Sequence, residues 1–292
     1  MGGEDKKDET INLDPKTEAV FKKKGYELQK KLAEGAFGQV YKAKNTKTGD
    51  KVAVKVMNLD KVGEKFKEKF LPREMAALIG VKHENTCELY DIIKANHRLY
   101  IFMEFCGGGD ISGYVQKNGA LSEEKTCFWF TQTAQALSFM HQNLHMAHRD
   151  IKIDNILLTE NQMAKLTDFG FAKICWDEKK DKMELSKTYC GTEPYECPQI
   201  VARVPYNAFA ADVWAMGVVL FCMLQNKFPF HWNDKKKFIK EQKDKKYIEE
   251  RLGTKLSQDC RDLHIQCWTE DEGKRITSQD LLNHPWITRK GK

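Results

Sequence analysis

His148-Arg149-Asp150-Ile151-Lys152-Ile153-Asp154-Asn155 is followed by the apolar run Ile156-Leu157-Leu158 and then by Lys165-Leu166-Thr167-Asp168-Phe169-Gly170. The oxygen ligands that Asn155 and Asp168 offer suit Mg²⁺, which keeps some waters and takes the rest of its shell from phosphate. Asp150 is placed as the carboxylate that orients an attacking hydroxyl and accepts its proton. Phosphoryl transfer needs this division of labour, because its catalysis is mainly positioning plus charge neutralisation.

Working towards the amino terminus, Leu32-Ala33-Glu34-Gly35-Ala36-Phe37-Gly38-Gln39-Val40 lies between two predicted strands. Glycine lets a backbone approach phosphate closely, but a Gly-x-x-Gly turn is also an ordinary hairpin. No Gly-Lys-Ser/Thr follows, which excludes a Walker loop. Seventeen residues after Gly38, Val52-Ala53-Val54-Lys55 ends an apolar strand on a lysine. A buried ammonium is costly without counter-charges, so Lys55 either snorkels to solvent or holds an anion and a carboxylate. Glu74 is the candidate carboxylate, and an exposed helical glutamate is the alternative.

Composition narrows the class. The 292 residues carry 48 Lys+Arg against 42 Asp+Glu, a net charge of +6. With 41% hydrophobic and 31% charged residues this is an ordinary globular composition, large enough for one large domain or two lobes sharing a cleft. Only 8 of the basic residues are arginine, and the mild excess gives no argument for nucleic acid. The 9 cysteines match neither a disulfide framework nor a zinc spacing and read as reduced core thiols. The amino-terminal segment has no apolar core, and Lys6 stands where N-myristoylation wants Ser or Thr. The apolar run Val213–Leu224 is short for a bilayer and reads as a buried core helix. The expectation is a cytoplasmic protein, possible also in the nucleus, with no membrane or nucleic-acid partner.

Residues 1–25 read as a flexible tail. Strand signals dominate from Tyr26 to about Tyr100: Leu28–Ala33, Gln39–Ala43, Val52–Met57, and then Leu99–Phe105. One helix over Lys65–Ile79 interrupts them, with Pro72 inside it. Gly107-Gly108-Gly109 reads as a flexible connector, and helices dominate beyond it. Ser122-Glu123-Glu124 opens one of these, with Phe130, Ala134, Leu137 and His141 on its apolar face. The pattern is α+β: a small antiparallel-sheet lobe with one main helix, hinged to a larger, mostly helical lobe across a cleft.

Taken in order, the glycine loop, Val-Ala-Val-Lys, the helix glutamate, His-Arg-Asp…Asn and Asp-Phe-Gly resemble the eukaryotic protein kinase family from Tyr26 to about Trp286. The resemblance implies a kinase domain over 26–287, with an N-lobe 26–103, a hinge 104–109, a C-lobe 110–287 and a tail 288–292. It also implies ATP and Mg²⁺ as cofactors, with protein substrates as partners of a monomer. ATP would be held by Leu32, Ala33, Glu34, Gly35, Ala36, Phe37, Gly38, Val40, Ala53 and Lys55 with Glu74. Met103, Glu104, Cys106, Asp110 and Leu157 would face its adenine and ribose. Asn155 and Asp168 would bind metal, and Asp150 would be the catalytic carboxylate. Leu78, Leu89, His148 and Phe169 would form a spine between the lobes. Asp212 would anchor the catalytic loop, with helix N-cap as its plainer role.

Lys152 and Thr192 resemble the serine/threonine pattern rather than the tyrosine one. Thr188 falls at the position of an activation-loop phosphorylation site, modified by an upstream kinase or by the protein itself, with Ser186 competing. Arg149 and Lys173 would receive that phosphate. The segment Cys175–Thr188 reads as mobile. Asp110 and Asp154 suggest a preference for basic residues before the acceptor. The lysine run from Lys235 to Lys246 reads as a solvated helix face, with a docking patch as the alternative.

Lys23-Lys24-Gly25-Tyr26, Lys69-Phe70-Leu71-Pro72-Arg73-Glu74-Met75, Gly119-Ala120-Leu121 and Leu185-Ser186-Lys187-Thr188-Tyr189-Cys190-Gly191 carry a further resemblance. It is to the testis-specific serine kinase group, which implies a role in male germ cells. Two positions depart from the kinase pattern. Ala33 replaces the first loop glycine, at a cost of about 1 kcal/mol if that backbone needs positive φ. Gln199, in Cys197-Pro198-Gln199, replaces a glutamate that would pair with Arg275, and a partly unpaired cation there would cost roughly 1–3 kcal/mol. Two functions follow: an ATP:protein phosphotransferase, or a catalytically weak scaffold that binds nucleotide and partners.

Overall fold

Val52, Val54 and Val56 alternate with Ala53, Lys55 and Met57 along the central strand of a five-stranded antiparallel sheet, the period-2 pattern that sends successive side chains to opposite faces. The structure, a computed structural model, describes residues 13–35, 38–61, 81–177 and 181–288. The sheet contains β1 (Tyr26–Gly35), β2 (Gly38–Asn45), β3 (Lys51–Asn58), β4 (Leu89–Ala95) and β5 (Arg98–Glu104), ordered β1-β2-β3-β5-β4. Among the described residues, those up to Lys82 together with Cys87–Cys106 make one compact unit. His83–Thr86 and the residues from Gly107 onward make a second.

One face of the sheet is a closed apolar layer of Tyr26, Tyr41, Val52, Val54, Val56, Tyr100 and Phe102. It is covered by a helix that the sequence reading assigned to a flexible tail. Residues Pro15–Lys24 form α1, capped by Asp14, whose carboxylate accepts from the Lys16 and Thr17 amides at 3.1 Å each. Gly25, at φ 88°, ends the helix in the left-handed region. Phe21 is the reason this charged segment folds. Its ring meets Tyr100 edge-on at 5.0 Å and Phe102 at 5.1 Å, and it is 1% exposed. The helix expected over Lys65–Ile79, with Glu74 and Leu78, lies outside the described residues, as do Ala36 and Phe37.

The second unit is built around α5 (Ala208–Gln225), whose residues from Ala210 to Leu224 are all buried. Ahead of it come α2 (Ile111–Asn118), α3 (Glu123–Asn143) and α4 (Pro198–Val201). After it come α6 (Lys235–Lys243), α7 (Lys245–Leu252), α8 (Gln258–Cys267), α9 (Ser278–Asn283) and α10 (Pro285–Thr288). As the sequence indicates, Ser122 caps α3. Glu123, one residue on, ties three distant elements together by accepting from the Ser257 amide and hydroxyl and from Trp286 Nε1. Burial alone would raise its pKa, but these hydrogen bonds outweigh that and hold it below the usual value.

Gly107-Gly108-Gly109 is not a free connector. The Gly108 amide donates to Leu158 O and Gly109 O accepts from the Leu158 amide, both at 2.8 Å. A Cβ on Gly108 would stand 2.7 Å from Thr159 O, so this close backbone pairing requires glycine.

Phe21→Ala is expected to destabilise the protein by about 3 kcal/mol in chemical denaturation, through the transfer and cavity terms of a buried aromatic ring. Val20→Ala on the same helix, where the side chain is 39% exposed, should cost less than about 0.5 kcal/mol.

Candidate active site

The loop before Asp150 is held by α5. Asp212 Oδ2 accepts from the His148 amide and Oδ1 from the Arg149 amide, each at 2.7 Å. Asp212 lies within the helix and does not cap it; that role falls to Asn207, whose side chain accepts from the Phe209 and Ala210 amides. Asp212 Oδ2 also lies 3.0 Å from His141 Nε2, and the other nitrogen of that ring is 2.9 Å from Ser278 Oγ. The sequence reading placed His141 only on an apolar face. An imidazole in register with Phe130, Ala134 and Leu137 was the signal of a buried polar partner.

Fixing two successive amides forces the turn. Arg149 adopts φ 65°, and the chain reverses so that Asp150 and His148 fold back on one another. His148 Nδ1 accepts from the Asp150 amide at 3.2 Å, leaving Nε2–H to donate to Thr167 O at 2.9 Å. The imidazole is therefore a bridge between Asp150 and the strand preceding Asp168, and its ring also meets Phe169 at 5.4 Å.

Asp150, 4% exposed, is at the centre of a closed polar group. Its Oδ1 accepts from the Thr192 hydroxyl at 2.7 Å, and its Oδ2 from Lys152 Nζ at 2.9 Å and Asn155 Nδ2 at 3.0 Å. Lys152 Nζ also reaches Thr192 Oγ1 at 2.9 Å, and Asn155 Nδ2 donates to Asp150 O at 2.8 Å. The side-chain nitrogen of Asn155 is thus committed twice, which leaves its side-chain oxygen as the acceptor that the residue can still offer. The Thr167 amide donates to Asn155 O at 2.9 Å, continuing the ladder of β6 (Ile156–Leu158) with β7 (Ala164–Leu166). This sets Asp168, at φ 60°, one residue beyond the pairing with Asn155. An amide oxygen and a carboxylate so placed are a donor set that fits Mg²⁺.

The segment Cys175–Thr188, read as mobile, carries defined structure in its described residues. Trp176–Asp177 pair with Lys182–Met183, and Cys175 is buried with its amide on His145 O at 2.8 Å. Ser186, the competing candidate, is fully buried and exchanges backbone hydrogen bonds with Tyr206. Thr188 is exposed, and its carbonyl accepts from the Tyr206 hydroxyl at 2.9 Å. Arg149 is 6% exposed and donates Nε to Phe171 O at 2.6 Å, while its Nη1 and Nη2 are buried without a hydrogen-bond partner among the described residues. Lys173 pairs with Ala147 across a two-residue ladder just upstream of that loop. Burial pushes the thiols of Cys175, Cys190 and Cys197 above the usual range.

In the first unit, register brings the expected nucleotide residues to one sheet face. Lys55 lies opposite both Val40 and Ile101, and Ala53 opposite Met103. Gly38, at φ 145°, packs so tightly on β3 that a Cβ would stand 2.1 Å from Val56 O. Ala33 pairs with Val40 in β1 and is absent from the described residues with positive φ, so its methyl carries no backbone penalty. Leu32 is exposed beside it, and Glu34 accepts from Lys31 on its own strand and from Gln39 across the hairpin. Glu104 O accepts from the Cys87 thiol, and Cys106 is half-buried. In the second unit Asp110 bridges to Leu157 and spends Oδ1 on the Gly113 amide at 2.7 Å, capping α2.

The profile of the family described as "Protein kinase domain" matches residues 26–287. The chain is 33% identical over 276 residues to human testis-specific serine/threonine-protein kinase 4, covering 91% of this chain and 83% of that protein. It is 35% identical over 266 residues to mouse testis-specific serine/threonine-protein kinase 3, covering 90% and 96%. It is also 35% identical over 206 residues to CBL-interacting protein kinase 11 of Oryza sativa subsp. japonica, covering 70% and 40%.

Gln199 does not leave Arg275 unpaired. Arg275 donates to Thr269 O and Ala210 O at 2.9 Å, to Glu270 O at 3.2 Å and to Gln199 Oε1 at 3.4 Å, and lies 5.0 Å from the Trp214 ring centre. Gln199 Nε2 donates to Glu270 O at 2.7 Å, a bond that a glutamate could not make. Burial lowers the Arg275 pKa, while Cys197 and Glu272 oppose that shift. Arg275→Leu is expected to cost about 3 kcal/mol in denaturant unfolding, because several buried carbonyls lose their donor. Gln199→Glu should change stability by less than about 1 kcal/mol, the gained attraction being offset by the lost amide donor.

Proposed function

The chain belongs to the protein kinase domain family, and on that premise we propose that it transfers the γ-phosphate of ATP to serine and threonine hydroxyls of protein substrates. The observation that carries this reading is the Asp150 carboxylate, which already accepts a threonine hydroxyl hydrogen at 2.7 Å from Thr192. An acceptor serine or threonine would offer the same group to the same oxygen. Asp150 then orients the hydroxyl and takes its proton as the new P–O bond forms and the bond from the γ-phosphorus to the departing ADP oxygen breaks. Lys152, held between Asp150 and Thr192, neutralises charge on the carboxylate and at the transferring phosphoryl group.

ATP and Mg²⁺ would supply the phosphoryl group and the cation that offsets its charge. Asn155 and Asp168 are the residues to hold the metal. Val40, Ala53, Lys55 and Met103 share the sheet face to meet nucleotide, with Lys55 directed at phosphate and Glu104 to Cys106 at adenine. The domain spans 26–287, with α1 ahead of it as a structural addition to the sheet.

Phosphorylation of Thr188, by the protein itself or an upstream kinase, is the switch this arrangement favours. Thr188 is exposed, and Arg149 keeps two buried nitrogens without a partner among the described residues. A phosphate carries up to two charges and several acceptor oxygens, which is what such a guanidinium lacks, and Lys173 would add a second cation. Action on proteins in the cytoplasm of male germ cells, as a monomer, completes the proposal.

Incubation of the purified protein with Mg-ATP and a generic basic protein, read by mass spectrometry, tests both parts. Wild type should phosphorylate the substrate and carry phosphate on Thr188. Asp150→Asn should lower the rate by about 10²–10⁴-fold, and Thr188→Ala by about tenfold. Equal rates for wild type and Asp150→Asn would remove the enzyme reading.

A further inference from the structure

Residues 235–246, covering α6 and the start of α7, contain seven lysines, and every one of them is exposed. The two acids in the same stretch are already engaged. Glu241 is 5% exposed and accepts from the His231 amide at 2.8 Å, with His231 Nδ1 2.7 Å from its other oxygen. Asp244 caps α7 through the Tyr247 amide at 3.2 Å, and Asp234 caps α6 through the Lys236 and Lys237 amides. Lys243 pairs with Glu270 at 2.6 Å, Lys237 lies 3.8 Å from Glu241 and Lys246 3.9 Å from Glu250. Lys235, Lys236, Lys240 and Lys245 make no ion pair among the described residues. A run of like charges on two short helices repels itself, and an anionic partner relieves that repulsion.

Three observations select the partner. First, α6 is fastened to the segment that follows the catalytic group: Gln242 Nε2 donates to Glu196 O at 2.7 Å, four residues beyond the Thr192 that bonds Asp150. The patch therefore stands beside the residues that would hold a polypeptide acceptor. Second, the buried side chains of α6, Phe238, Glu241 and Gln242, face inward, so the helix has no apolar face to lay into a lipid surface. Third, the cations are lysines throughout, point charges without the planar fork that reads bases and grips nucleic-acid phosphates.

We propose that the lysine face of α6 and α7 docks an acidic stretch of the protein substrate, at a distance from the acceptor hydroxyl. The proposal rests on the protein-kinase reading for its substrate, but the binding surface itself does not require turnover. Opposite charge across such a surface speeds encounter and lowers KM while leaving kcat alone, and it fades with salt.

The test uses the full chain and the variant Lys235→Glu/Lys236→Glu/Lys240→Glu, with folding checked by circular dichroism. Two peptides share one acceptor sequence, and differ in carrying a flanking run of either glutamates or glutamines. Binding is read by fluorescence anisotropy of the labelled peptides without ATP, and kcat and KM are read separately. The acidic peptide should bind wild type and show a KM about tenfold lower than the neutral one in dilute salt, an advantage lost near 0.5 M salt. The variant should lose that advantage and keep its kcat on the neutral peptide. Equal KM values, or an advantage that survives in the variant, would overturn the proposal. So would tighter binding of an RNA oligonucleotide or of phosphatidylserine vesicles than of the acidic peptide. If neither peptide is phosphorylated but the acidic one binds wild type and not the variant, the kinase reading fails and the docking surface stands.

Discussion

The Asp212 carboxylate accepts from two consecutive backbone amides and meets a buried imidazole, and it does so from the middle of a helix with almost no solvent around it. An ionised group in that position is costly unless several donors converge on it, and here three do. Once His148 and Arg149 are pinned, the chain can only turn back, and that turn aims Asp150 at Thr192 and places His148 against Thr167. The chemistry near Asp150 is thus inherited from α5, a helix whose interior is apolar except at this carboxylate. The same helix contributes Ala210 O to the Arg275 guanidinium, so one rigid element seats both the catalytic loop and the loop anchor.

Motif order carried the kinase fold because each motif binds its neighbours through backbone geometry that the residue types demand. Asn155 and Asp150 meet through an amide that can donate twice, and the β6–β7 ladder brings Asp168 alongside. Other features were invisible in the sequence because they are tertiary. Helix α1 has a strongly charged sequence, and its order depends on one ring, Phe21, finding Tyr100 and Phe102 on a strand far along the chain. Ser186 looks like any loop serine until its pairing with Tyr206 buries it. The glycines at 107–109 announce flexibility by composition, yet Gly108 is needed for closeness to Leu158. The roles of Asn207 and Asp212 separate only when the start of the helix is known, since either residue type caps well.

The two departures from the kinase pattern are accommodated by the contacts around them. Ala33 occupies ordinary strand backbone, where a methyl group costs nothing. At Gln199 the amide does what a carboxylate could not, donating to Glu270 O while still facing Arg275, and carbonyl groups satisfy most of the guanidinium. The ground for a catalytically weak scaffold was an unpaired Arg275 and backbone strain at Ala33, and neither is found at those two positions.

Arg149 and Asp168 both sit at φ near 60°, a conformation that glycine adopts freely and that costs other residues of order 1 kcal/mol or more. Neither position can relax to glycine without losing a guanidinium or a carboxylate that the site uses. Neither can accept a β-branched residue, which the backbone would exclude. Mutational tolerance at these two codons is therefore narrow for a reason separate from side-chain chemistry. A replacement at either position must meet two demands at once, the charge that the site uses and a left-handed backbone, and few residues meet both.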